Sequence, residues 1–232
     1  MVRWLLPLVA CGLALSFIVT ARRLWVEAAR GRAARAAYLS ALPPLLAEPH
    51  LRLEPSGYPR LAGRFAGHAV DVQAVPDALT LRKLPVLWLL VTLTEAQPLA
   101  GETRIMVRPS GLEPFSTFAN LPAETAAPPG FPAHCVVRTT APHHLPPAHV
   151  MALLARLFED PALKEVVLSP AGLRLVRLAE EAARGAYLLF READLGRTPV
   201  TAAMVQPLLA TLLDLARDLA RADGGQAPEH HG

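Results

Sequence analysis

The side chains best suited to chemistry gather between residues 134 and 149: His134, Cys135, His143, His144 and His149. Neutral imidazoles and a thiolate are ligands that zinc favours. A thiol beside an imidazole is also the start of a nucleophile and its base. The spacing argues against a metal centre. His143 and His144 are adjacent in a stretch flanked by prolines, and neighbouring side chains on an extended backbone point to opposite sides. His134 and Cys135 alternate faces in the same way if 134–140 is a strand. No metal and no cofactor is therefore expected. A Cys135–histidine pair stays open as the basis of a hydrolase or small-ligand enzyme. Other catalytic patterns are missing. The serines of Pro109-Ser110-Gly111 and Ser169-Pro170 stand in turn contexts, and there is no Gly-x-Ser-x-Gly. Neither a Gly-x-Gly-x-x-Gly nor a phosphate-binding loop occurs. Glu180-Glu181 reads as a solvated turn and Glu159-Asp160 as a helix end.

The elements that must position these groups come from periodicity. Residues 60–65 and 68–75, split by Ala66-Gly67, form a hairpin, and His68–Val75 alternates as a half-buried strand does. Further strands are expected at 79–84, 86–94 and 103–108. The nearly continuous apolar run from Val86 to Thr94 marks the central one. The proline-rich stretch 109–133 is a long loop with at most one short strand or turn. After a strand at 134–140, Pro146-Pro147 opens a helix to about Phe158, with Val150, Leu153, Leu154 and Leu157 on one face. Strands follow at 165–169, 172–179 and 186–191. The last helix spans about 200–221, its stripe being Val205, Leu208, Leu209, Leu212, Leu215 and Leu219. The class is α+β: a meandering, mostly antiparallel sheet covered by two helices.

A different element leads the chain. Residues 4–21 hold 18 uncharged side chains, roughly 27 Å of helix at about 1.5 Å per residue. That length reads as a single transmembrane helix. Trp4 and Trp25 sit at its interfaces, and Arg22 and Arg23 reach outward past its end. Residues 23–45 continue as an Arg/Ala-rich juxtamembrane helix, with Arg30, Arg32 and Arg35 close to lipid headgroups and Pro43-Pro44 as its stop. Two alternatives stay open. Val19-Thr20-Ala21 has the residue types of a signal-peptide cleavage site, and Leu8-Val9-Ala10-Cys11 those of a lipid-attachment box. Either would make an exported envelope protein or lipoprotein. The organisation expected is an anchor at 1–22, the juxtamembrane helix at 23–45, an α+β domain at 46–222 and a tail at 223–232.

Charge sharpens the reading. The chain is 52% hydrophobic and 19% charged, which excludes a disordered protein. Its net charge is +3, but residues 1–35 carry six arginines against the single Glu27. The body is close to neutral and has no basic stripe, so nucleic acid is excluded as a partner. Positive charge stays inside, which places the domain in the cytoplasm of a bacterium, on its inner membrane. The partners expected are the lipid bilayer and another membrane or cytoplasmic protein. Phe115, Phe118 and Phe131 in the long loop are either buried beneath it or offered to that partner.

The stretches Gly57-Tyr-Pro-Arg-Leu-Ala-Gly63, Thr80-Leu-Arg-Lys-Leu84 and Ala186-Tyr-Leu-Leu-Phe-Arg191, in this layout, resemble bacterial single-pass membrane proteins with an N-terminal helix and an α+β domain of unknown function. The resemblance implies a location and an architecture, and no activity. The function expected is a non-enzymatic binding or complex-stabilising module.

Overall fold

A computed structural model describes the backbone of residues 2–78, 84–185 and 195–224, with side chains from Ala10 to Ala222. Helix α1 (Val2–Ala36) runs unbroken through both N-terminal segments. It ends at Ala36, well before Pro43. The chain then winds through turns and a 3-10 turn at Pro43–Leu45 that bury Tyr38, Leu39 and Leu42. Nine strands follow: β1 (Ala47–Leu53), β2 (Pro59–Phe65), β3 (His68–Asp77), β4 (Val86–Leu93), β5 (Thr103–Val107), β6 (Ala123–Ala126), β7 (Cys135–Thr139), β8 (Leu163–Ser169) and β9 (Gly172–Glu181). Helix α2 (Ala148–Leu157) lies between β7 and β8, and α3 (Ala202–Gly224) is the last described element.

All nine strands join one antiparallel sheet in the order β1-β2-β3-β4-β9-β8-β5-β7-β6. Strand alternation divides its side chains between two faces. On the helix face, Val70, Val72, Leu89, Val91, Leu93, Ile105, Val166, Leu173 and Leu175 meet the apolar stripes of α2 and α3 in the main core. Val205, Leu209, Leu212 and Leu215 are fully buried there, at the spacing an amphipathic helix requires. The opposite face carries a small second core of Leu90, Met106, Val176, Phe115 and Phe118. The last two come from the loop between β5 and β6, which roofs this side. It is called the loop face below.

The antiparallel sheet, the 59–77 hairpin and both covering helices agree with the sequence. One strand does not. β1 is exposed along its length and shows no alternation, whereas β6 is a four-residue strand within 109–133, where one short strand or turn is expected. Both are sheet edges. β1 is blunted by Pro49 and a register shift between Ala47 and His50, as edges commonly are. The expected strands at 79–84 and 186–191 fall almost wholly or wholly outside the described residues.

The transmembrane anchor is overturned. Among the described residues no helix is long and apolar enough to cross a membrane. Arg22 and Arg23, which close the uncharged run, are exposed. The inner-membrane location, the single-pass topology and the bilayer as a partner lose their support with it. So does the location implied by the resemblance.

One backbone contact fixes the sheet's centre. At Gly172 the chain turns from β8 into β9 with φ +153°, and a Cβ there would stand 2.2 Å from the carbonyl oxygen of Leu93 on β4. Only glycine lets the β8–β9 hairpin approach β4 so closely. Gly172→Ala is expected to cost about 2–4 kcal/mol, combining backbone strain with a forced displacement. Gly67→Ala, at φ +87° with open space around it, should cost about 1 kcal/mol. Thermal unfolding of the two variants checks the difference.

Candidate functional site

The loop face is held by polar ties rather than by a helix. Glu165 of β8 is fully buried beneath the roof. Ser116 on the loop donates its hydroxyl to Glu165 Oε1 at 2.5 Å and receives the Phe118 amide at 3.1 Å. Arg104 of β5 donates to Ser116 Oγ at 3.0 Å and lies 3.6 Å from Glu165 Oε1. Its Nε pairs with Glu102. Arg138 of β7 stacks over Phe118 at 5.7 Å, donates to the carbonyls of Ala119 and Leu121, and pairs with Glu124 at 2.9 Å. Each tie joins loop backbone or side chain to a strand beneath. Between them Phe115 and Phe118 are pressed into the second core. The loop's first turn is fastened separately. Glu113 accepts from the amides of Ser110 and Gly111 and from the Ser110 hydroxyl.

Electrostatics follow burial. Desolvation raises the Glu165 carboxyl above its ordinary value, although the Ser116 hydrogen bond and the charges of Arg104 and Arg174 pull it back. Burial, with Arg104 nearby, lowers Arg174. Burial also pushes upward on Glu113, but the Ser110 amide and hydroxyl and the Lys164 charge outweigh it and bring that carboxyl below its usual range.

Where the roof ends, a cleft of about 440 Å³ opens. Its sheet side is built by Asp77 from β3, Val86 and Trp88 from β4, and Leu178 and Glu181 from β9. Register explains the grouping. Val86 pairs with Asp77 on one side and Glu181 on the other, and Trp88 pairs with Leu178. A register shift between Leu87 and Trp88 keeps Leu178 and Glu181 on one face while Glu180 turns to the other. The opposite wall is Arg108, Ser110 and Glu113 of the loop together with Lys164. Phe115 packs on the Trp88 ring, centroids 5.0 Å apart, so the roof also positions the indole.

Two polar atoms in this cleft are buried without a hydrogen-bond partner among the described residues: Asp77 Oδ1 and Trp88 Nε1. Asp77 is only 9% exposed. One is an acceptor and the other a donor, and buried groups of both kinds are normally paired. Lys164, by contrast, is committed. It donates to the carbonyls of Val107 and Arg108 at 2.7 and 2.8 Å and stands 3.8 Å from Glu113.

The residues singled out from sequence lie elsewhere. Cys135 is half-buried against the main core, and burial pushes its thiol up to about 11. His134 is exposed, as alternation from Cys135 requires. His143, His144 and His149 are exposed too, the first two lining a shallow cleft with Pro146 and Leu219 of α3. Among the described residues no group of three His, Cys, Asp or Glu side chains converges to hold a metal. Phe115 and Phe118 are buried, while Phe131 packs on Phe158 of the main core at 5.9 Å. Arg22, Arg23, Trp25 and Arg32 are exposed, Arg35 is half-buried and Arg30 pairs with Glu27 at 2.8 Å. The side chain of Trp4 lies outside the described residues.

Sequence reasoning did not find Asp77, Trp88, Glu113 or Glu181. The alternation of β3, extended from Asp71 through Gln73 and Val75, does put Asp77 on the loop face. Nothing local announces the cleft. Comparison with known proteins adds no precedent, since no family model, curated protein or solved structure matches the chain.

The Glu165 tie has a pH signature. Because its folded-state value is raised, the folded chain holds this proton where the unfolded chain has released it. Its contribution is therefore full below the ordinary value of 4.5 and is lost as pH rises through the raised folded value. The loss amounts to about 1.4 kcal/mol for each pH unit separating the two. Glu165→Gln has no such proton. The stability of the wild type minus that of Glu165→Gln should therefore fall between pH 4 and pH 8, measured by denaturant unfolding. A difference that is flat or rises contradicts the buried carboxyl.

Proposed function

We propose that this chain is a non-enzymatic binding module and that the cleft at the edge of the loop face is its seat. The observation that carries this reading is the pair of buried atoms without a partner among the described residues, Asp77 Oδ1 and Trp88 Nε1, within one cavity of about 440 Å³. Leaving a buried acceptor and donor unpaired costs about 1–3 kcal/mol each, and a ligand that completes both recovers that energy. The volume lies within the usual range for small-molecule sites, about 300–1,000 Å³.

The Cys135 alternative has weaker support. A nucleophilic cysteine needs a lowered thiol and a base within reach. With its thiol up at about 11, Cys135 holds on the order of one thiolate in ten thousand at pH 7. It packs against core side chains rather than opening onto the cleft.

Val86 lies on the cleft floor between Asp77 and Glu181, so Val86→Phe should fill the seat. Saturation-transfer NMR with a chemically mixed fragment set is expected to give binders to the full chain. These should be lost in Val86→Phe and retained in Cys135→Ser. Ester or thioester turnover that disappears in Cys135→Ser would overturn the reading, as would fragment binding indifferent to Val86→Phe.

A further inference from the structure

Three features of the cleft bear on the kind of group it accepts. The first is a pair of carboxylates for which the described residues supply no ion pair. Asp77 and Glu181 flank Val86 in one row across β3, β4 and β9. At the ordinary strand spacing of about 4.8 Å their backbones stand roughly 10 Å apart on the same face. Asp77 is 9% exposed and its Oδ1 has no partner among the described residues. Of the two cations in the wall, Lys164 is already bound to two carbonyls beside Glu113, and Arg108 is exposed and makes no ion pair with Asp77 among the described residues. A desolvated carboxylate is best satisfied by a charged donor.

The second feature is an aromatic ring beside that charge. Trp88 stands two residues along β4 from Val86, which makes it the diagonal neighbour of Asp77 across the β3–β4 pair. Diagonal neighbours on one face lie about 7–8 Å apart, within reach of long or aromatic side chains. A cation seated on the Asp77 carboxylate falls within the range, about 6 Å from a ring centroid, at which an indole attracts it. The third feature is the indole N–H. It is buried and unpartnered, so the same ligand is best served by an acceptor atom next to its cationic group.

We infer that the cleft recognises an organic cation, an ammonium or guanidinium group held by Asp77 against Trp88, with Glu181 at the outer rim. This rests on the cleft being a binding seat, as proposed above. The cation can belong to a small free amine or to a lysine or arginine side chain of a partner protein. The chemistry of the seat is the same for both.

The test uses the full chain and follows the indole N–H resonance of Trp88, assigned by its disappearance in Trp88→Phe. The probes are n-butylammonium, n-butylguanidinium, the neutral isostere n-butanol, and blocked tripeptides with a central lysine or glutamine. The cationic probes should shift the resonance at concentrations about tenfold or more below n-butanol. Asp77→Asn, which keeps the shape and removes the charge, should erase that advantage. Response to the lysine tripeptide alone assigns the cation to a partner protein, and response to the free amines assigns it to a small ligand. If n-butanol and the glutamine peptide act as well as the cations, and Asp77→Asn changes nothing, the cation inference is overturned while the binding seat stands. If no probe of either charge moves the resonance, the seat falls with it.

Discussion

The second side of this protein is held by a few polar ties centred on the hydrogen bond from the Ser116 hydroxyl to the buried carboxyl of Glu165. A nine-stranded sheet has two faces to shield from water, and among the described residues helices cover one of them. The other relies on a proline-rich loop, and a loop brings no repeating apolar stripe of its own. It must be fastened at points. Ser116 on Glu165, Arg104 on Ser116, and Arg138 on Phe118 and the following carbonyls are those points. They are placed over the strands β5, β7 and β8. Phe115 and Phe118 fill the space between.

That economy of cover has a consequence for function. The roof reaches Trp88 through Phe115 and stops there. Beyond it the loop face continues onto β3, where Asp71 is paired with Arg60 at 2.6 Å and Asp77 is left without a partner among the described residues. The cleft is the step between covered and uncovered sheet. Its apolar part belongs to the second core and its charged part to the polar side of β3 and the end of β9. A binding seat that combines an aromatic wall with an anionic floor follows from that boundary.

How much of this was legible depended on whether the signal was local. The stripes of α2 and α3 and the alternation of β2 and β3 are written in consecutive residues, and they fold as read. β1 carries no such mark because an edge strand has no face that must be apolar. The eighteen uncharged residues at 4–21 have the composition of a membrane span, yet no described helix meets the length and apolarity required. Cys135 and its neighbouring histidines looked chemical because they are close in sequence. Closeness along a strand separates side chains by face, and burial pushes the thiol up rather than down. The cleft residues are the reverse case. Asp77, Trp88 and Glu181 are spread over β3, β4 and β9 and meet only because β4 pairs with a strand some ninety residues later. No pattern in a single stretch encodes that pairing.

The cleft exists because the loop is clamped to the sheet and the clamp shapes its edge. Hydrogen exchange of Ser116→Ala against the wild type measures this most directly. Losing the hydroxyl should speed exchange of amides in residues 110–121 and of the Trp88 indole N–H, while α3 and the β2–β3 hairpin keep their protection. Unchanged protection of the loop, or a uniform loss across all strands and helices, would contradict the clamp and with it the origin assigned to the cleft.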